Sequence, residues 1–164
     1  MSRVRILEIT SEADRYWAAG EARRFAAALG FGPHEQARVA MCVAELASNV
    51  AKHAGGGLVE LSSVSRPPAP GGPSAIGCRV RATDDGPGIA ALDDSLRDGF
   101  SEGRFLTPDT RARDRRGLGV GLGAVVRLMS EVSVVSPPSG GVVVEAVLWR
   151  TPENNQEKDK CSGI

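Results

Sequence analysis

The apolar and polar positions divide the chain into short alternating runs and longer helical ones. VRILEIT, Val4 to Thr10, alternates and is rich in β-branched residues, which predicts a first strand. SEADRYWAAGEARRFAAALG opens on Ser11 with Asp14 three positions on, a variant of the capping box, and closes at Gly30. That pattern predicts a helix. Pro33 suits a first helical turn. Beyond it, Val39, Ala40, Val43, Ala47 and Val50 recur at helical spacing until Gly55 to Gly57 ends a second helix.

LVELSSV, Leu58 to Val64, and CRVRATD, Cys78 to Asp84, predict two strands. The proline- and glycine-rich segment Arg66 to Gly77 reads as the connection between them. ALDDSLRDGF predicts a short helix reaching Phe100, and an arginine-rich polar stretch runs on to Arg116. GLGVGLGAVVRLMSEV predicts a helix that begins in glycine at Gly117 and continues through Val132. SVVSPPSGGVVVEAVLW predicts a closing hairpin. Residues 151–164 are polar and apolar-poor, so a disordered tail is expected after a single domain over residues 1–150. Strands joined by hairpin-like links, with helices gathered in pairs, predict an α+β sandwich with helices on one face of a mixed sheet.

Twenty basic and twenty acidic residues cancel, so no excess charge points to a nucleic acid or a membrane surface. Three widely spaced cysteines contain no CxxC pair, and the opening residues lack the character of a targeting segment. Reduced thiols and a cytoplasmic location are expected. Cys42 and Cys78 read as small core residues. Tyr16, Trp17 and Phe25 read as core or interface, and His34 as capping a helix start or facing solvent.

Three motifs carry candidate chemistry. In ELASNVAKHAGGG, Asn49 lies about 40° round the helix from Glu45, Lys52 about 20° the other way and His53 about 80°. An Asn oxygen suits Mg²⁺, a neighbouring Glu can take a proton from an attacking hydroxyl, and a Lys can neutralise phosphate. Alone, the same residues describe a solvated helix face. In ATDDGPGI, Asp84 leaves a strand end and could accept a hydrogen bond from an exocyclic amine, while Gly86 and Gly88 would let a planar ligand approach the backbone. Alone, this is an ordinary Asp-Gly-Pro-Gly turn. In GLGVGLGAVVRLM, glycines at 117, 119, 121 and 123 precede an apolar helix whose start could meet phosphates. The preceding RARDRRG is no strand and no G-x-x-x-x-G-K-[ST] loop exists, which excludes Rossmann and P-loop readings.

Together and in this order, the motifs resemble the nucleotide-binding boxes of the GHKL ATPase superfamily, whose fold is the Bergerat α+β sandwich. ELASNVAKHAGGG, DDGPGI, DGFSEG and GLGVGLGAVVRLMSEV look most like the small bacterial anti-sigma and switch serine kinases of the RsbT type, from about Val4 to Trp149. The resemblance implies Glu45 as base, Asn49 as Mg²⁺ ligand and Asp84 as adenine partner. It implies Lys52, His53, Gly86, Gly88 and Ile89 around ATP, and Gly117, Leu118, Gly119, Val120 and Gly121 beside its phosphates. It also implies phosphoryl transfer to a Ser or Thr on a STAS-domain antagonist. A sigma factor or a phosphatase regulator would lie downstream, with a homodimer as a further expectation.

Two departures stand out. The stretch from Asp98 to Gly117 is longer than the lid of RsbT-type kinases and carries Arg104, Arg111, Arg113, Arg115 and Arg116. Many relatives place Thr after the glycine on the final strand, where this chain has Gly141-Val142, which implies one phosphate contact fewer. The competing reading is therefore a nucleotide-binding anti-sigma module that sequesters its partner without efficient chemistry. A fragment of a histidine kinase is a weaker third, since no phosphoacceptor helical hairpin is seen ahead of the domain.

Overall fold

The computed structural model describes residues 3–67, 74–87, 100–101, 104–105, 121–136, 138 and 140–150. In chain order the elements are β1 (Val4–Ile9), α1 (Asp14–Ala28), α2 (Pro33–Ala54), β2 (Gly57–Arg66) and β3 (Ala75–Asp84). They continue as β4 (Phe100–Ser101), β5 (Arg104–Phe105), α3 (Gly121–Leu128), β6 (Glu131–Val135) and β7 (Val142–Trp149). Five strands form one sheet in the order β1-β2-β3-β7-β6, and β4 with β5 forms a separate two-stranded ribbon.

Every neighbouring pair in the main sheet is antiparallel. The expected mixed sheet is thus corrected, and the connections give the reason. Between β1 and β2 the chain runs up one helix and down the next, which returns it to the end it left, so β2 must run against β1. A single crossover helix would have set neighbours parallel. Among the described residues, the crossover through α3 leads to β6, which is separated from β3 by β7.

The three helices among the described residues lie on one face. α2 crosses the middle of the sheet, α1 packs on α2 and β1, and α3 packs on α2 and β6. The strand period of two directs Leu7 and Ile9, Val59 and Leu61, Cys78, Val80 and Ala82, and Val144, Ala146 and Leu148 into this layer. They meet Val39, Cys42, Val43, Leu46, Ala47 and Val50 of α2. Both cysteines are therefore core residues, and burial pushes the Cys78 thiol up to about 12. The opposite face of the sheet mixes the exposed apolar side chains of Val4, Ile6, Leu58 and Val135 with polar and paired charged groups. Arg79 bonds Ser62 Oγ at 2.9 Å and Glu60 at 3.4 Å, and the Trp149 Nε1–H donates to Glu131 at 2.6 Å.

Several expected boundaries shift. The hairpin of β2 and β3 takes in Arg66 and Ala75 to Gly77, so the connection is shorter than the composition implied. A side chain on Gly77 would lie 2.8 Å from the Trp149 ring, so this glycine is a covered sheet position. The last helix stops at Leu128 instead of Val132, because Glu131 and Val132 already pair with Val147 and Ala146. Phe100, read as helical, belongs to β4. Residues 91–99 and 151–164 lie outside the described residues.

α1 buries only Ala18, Ala22 and Ala26, a stripe of small residues that lets it approach α2 closely. Tyr16 at 70% exposure and Trp17 at 49% fall outside that stripe, so of the expected core or interface roles the core is excluded for these two, whereas Phe25 packs partly buried against the core. His34 is exposed. The capping box at Ser11 is half realised. Asp14 Oδ2 accepts from the Ser11 amide at 2.8 Å and from the Thr10 amide at 2.8 Å, while no side chain caps the helix in return. α2 is closed in the same one-sided way, since the Gly32 amide donates to Glu35 Oε2 at 2.9 Å and glycine has no side chain to reciprocate. Its far end stops at Gly55, whose φ of +73° reverses the chain into β2.

The amide bonds from Thr10 and Ser11 hold the Asp14 carboxyl below its ordinary range. A depressed carboxylate stabilises the fold above its unfolded pKa and loses that contribution as pH falls through the folded value. Asp14→Ala should therefore lower stability at neutral pH, and the gap to wild type should close below roughly pH 4. Urea denaturation across pH checks this, and a gap that persists unchanged to acid would exclude the charge as its cause.

Candidate functional site

The site lies at the end of the sheet where β3 finishes and β2 and β7 begin. Asp84 shares the parity of Cys78, Val80 and Ala82, so its side chain leaves the sheet on the helix side. Its Oδ1 accepts from the Gly86 amide at 2.9 Å, a local Asx-type turn that fixes the carboxylate's direction. Among the described residues Oδ2 has no hydrogen-bond partner and stays available as an acceptor.

Three close approaches hold that turn. Where α2 gives way to β2, a side chain on Gly57 would lie 2.4 Å from the Thr83 carbonyl and 2.8 Å from Val50. A side chain on Gly86 would sit 2.8 Å from the Ala54 methyl, so this glycine is required by contact with the end of α2. From the other side, the Gly141 amide donates to the Gly86 carbonyl at 2.6 Å. Gly141 has φ +82°, and a Cβ there would be 2.5 Å from the Asp84 carbonyl. Ser136 Oγ donates to the Gly141 carbonyl at 3.2 Å and closes the β6–β7 turn. Val142 pairs with Asp84 in register.

Glu45, Asn49 and Lys52 are half-buried on α2, whereas His53 is exposed in the last turn, beyond Val50. Burial raises the Glu45 carboxyl above its usual range, and the nearby positive charges of Lys52 and Arg15 oppose that rise. Lys52 Nζ meets Glu12 Oε1 at 3.2 Å. Its ammonium is therefore placed by a carboxylate from the turn ahead of α1. Among the described residues no group of three or more His, Cys, Asp or Glu could hold a metal ion. A Mg²⁺ there would depend on Asn49 and on oxygens brought by a ligand. Gly121, at φ +42°, starts α3. Gly88, Ile89, Gly117, Leu118, Gly119, Val120 and, of the arginine-rich stretch, Arg111, Arg113, Arg115 and Arg116 lie outside the described residues.

The layer order and this end-of-sheet cluster can be compared with known proteins. A family model described as "Histidine kinase-like ATPase domain" matches residues 12–147. The chain belongs to this family. Serine/threonine-protein kinase RsbT of Bacillus subtilis (strain 168) is 34% identical over 127 residues, covering 77% of this chain and 82% of RsbT. Among solved structures, the SiaB-SiaC complex from Pseudomonas aeruginosa aligns with a TM-score of 0.44 and 14% identity, over 88% of this chain and 89% of that one. The NMR structure of the histidine kinase domain of the E. coli osmosensor EnvZ aligns with a TM-score of 0.42 and 21% identity, over 96% and 95%.

The histidine kinase-like ATPase domain is thus an RsbT-like GHKL domain with the Bergerat fold, and such a domain implies ATP binding. No helix among the described residues is long and apolar enough to cross a membrane. Sequence reading passed over Glu12 and Arg15 as parts of this region, and took Gly57 only as ending the second helix. It noted Gly141 only for the residue that follows it.

Gly141→Ala forces a Cβ against the Asp84 carbonyl at a backbone angle that disfavours it, which should cost about 1–3 kcal/mol of stability. ATP affinity should fall with it, because the Asp84 turn must shift. Chemical denaturation and titration with a fluorescent ATP analogue would check both. Full stability with unchanged affinity would mean that the close contact is not needed.

Proposed function

We propose that this domain is an ATP-dependent serine/threonine protein kinase that phosphorylates a STAS-domain antagonist in a bacterial partner-switching system. Control of a sigma factor or its phosphatase lies downstream. The observation that carries the proposal is Glu45. It is a partly desolvated carboxylate one helical turn from Asn49, on the helix whose end packs against the Asp84 turn. The similarity to a serine/threonine kinase supports the same reading.

In this proposal Asp84 Oδ2 accepts a hydrogen bond from the adenine amino group, and Oδ1 stays tied to the Gly86 amide. Gly86, Gly88 and Ile89 border the base. Gly117 to Gly121 meet the phosphates, with Lys52 and His53 lining the cleft. Asn49 would hold Mg²⁺, which supplies charge neutralisation on the phosphate oxygens. Its half-buried amide, with no carboxylate cluster beside it, fits an ion that arrives with nucleotide. The partner's Ser or Thr hydroxyl gives its proton to Glu45 as its oxygen bonds to the γ-phosphorus. The bond to the β–γ bridging oxygen breaks, and ADP leaves. A raised Glu45 pKa suits this role, since a base works best with a pKa nearer the working pH. Cytoplasmic location and residues 1–150 as one catalytic domain belong to the same proposal.

Val142, opposite Asp84 where relatives place a hydroxyl, favours a second reading. In it the domain binds nucleotide and sequesters its partner without efficient transfer. Glu45→Gln separates the two. Under the kinase proposal it should cut transfer of labelled γ-phosphate to the STAS partner by about 10²–10⁴-fold while ATP still binds. Asn49→Ala and Asp84→Asn should each weaken ATP binding itself. Partner control that survives Glu45→Gln undiminished would give the answer to the binding module.

A further inference from the structure

α3 ends because the sheet takes the residues that would continue it. In a longer helix the Val132 amide would bond the Leu128 carbonyl, but Val132 is held in β6 opposite Ala146. The carbonyl is met instead from another helix. Arg38 Nε donates to it at 2.8 Å, from a half-buried position on α2 that lies 90 residues away in the chain. Among the described residues Arg38 has no ion-pair partner, so this cation answers to a helix end and not to an acid. Its charge also suits the negative end of the helix dipole.

The directions of the two helices turn that bond into a setting of their register. α2 ends beside the Asp84 turn, where Ala54 lies against Gly86, so Arg38 stands towards the opposite end of the sheet. α3 finishes at that same opposite end, since the Ser130 amide donates to the Val147 carbonyl at 2.8 Å and Glu131 pairs with Val147. Leu122, near the start of α3, is buried in the common core, so α3 lies back along α2 and antiparallel to it. Leu128 and Gly121 are seven residues apart, about 10.5 Å of helix. Arg38 and Glu45 are also seven residues apart, with the same rise, and their side chains leave α2 about 20° from one another. Holding Leu128 at Arg38 therefore brings the glycine start of α3 to about the level of Glu45.

We propose that Arg38 is a positioning residue that sets the level of α3 against α2, so that the helix start meets the phosphates of a bound nucleotide beside Glu45 and Asn49. This rests on the reading of Gly117 to Gly121 as the phosphate end of the site, given above, and not on phosphoryl transfer. Apolar packing alone does not supply such a setting. Burial of Leu122, Val125 and Met129 holds α3 on the core, but that attraction has no direction. A hydrogen bond has both a length and an angle. A slip of one residue along the axis would displace the helix start by about 1.5 Å, several times the tolerance of a hydrogen bond to a phosphate oxygen.

Comparing ATP with adenosine isolates this role, because adenosine engages the Asp84 end and carries no phosphate. Arg38→Met keeps the apolar stem and removes the donor. In NMR titrations below the unfolding midpoint it should weaken ATP binding by about tenfold or more, with adenosine affinity within about twofold of wild type. Arg38→Lys should return part of the lost preference, since a cation remains at the helix end. Arg38→Gln, polar but shorter in reach, should lose the preference in the same direction, and it serves as the probe if Arg38→Met does not fold. A preference for ATP over adenosine that stays at the wild-type value in the Met and Gln variants would overturn the proposal. An equal loss for both ligands would overturn it too, since that marks a general loosening of the fold. Should wild type itself show no preference for ATP over adenosine, the phosphate reading fails first, and the Arg38 proposal falls with it.

Discussion

The contact on which the rest depends is the seam where the end of α2 presses against the turn that follows β3. Gly57 passes beside the Thr83 carbonyl, Gly86 lies against Ala54, and Gly141 bonds the Gly86 carbonyl from the opposite side. These are approaches at distances that no Cβ tolerates. They lock the carboxylate of Asp84 to the same rigid frame as Glu45 and Asn49. With the Asp84 carboxylate positioned and Glu45 half-buried on one helix-and-sheet frame, the proposed phosphoryl transfer would need little reorganisation when a ligand arrives. Electrostatic catalysis requires that kind of fixed geometry.

The frame exists because α2 is anchored along its length. Its buried face runs from Val39 to Val50 over four strands, so its last turns have nowhere to drift. The polar residues that carry chemistry lie on the flank of that face. There they are half-desolvated but still reachable. Glu45 illustrates the balance, since burial raises its pKa and two neighbouring cations restrain the rise. α1 contributes one of them, and the turn ahead of α1 holds the other through Glu12. A helix that looks like mere packing is therefore part of the site's electrostatics.

Much of this was readable in advance. α2 is legible from end to end, because Pro33, a strong apolar period and three glycines mark its limits. The strands β2, β3 and β7 are legible from alternation. The helix after the glycines is legible as a type but not in length, because the sheet claims Glu131 and Val132 through hydrogen bonds that local spacing cannot reveal. The exposure of Tyr16 and Trp17 has a related cause. Large aromatics are usually buried, but a close helix pair admits only alanine, and that closeness is a tertiary fact.

The sequence by itself determined the family, since motif order and residue type survive without coordinates. It also offered the residue types on which the proposed adenine, metal and phosphate contacts rest, because side-chain chemistry and glycine spacing are read without coordinates. Only the tertiary structure decided strand direction, the shared edge of Asp84 with Gly57 and Gly141, and the pairing of Glu12 with Lys52. Asp84 lies 27 positions from Gly57 and 57 from Gly141, and Glu12 lies 40 from Lys52, so their proximity follows from how helices and strands return the chain to the same end of the sheet and not from local spacing.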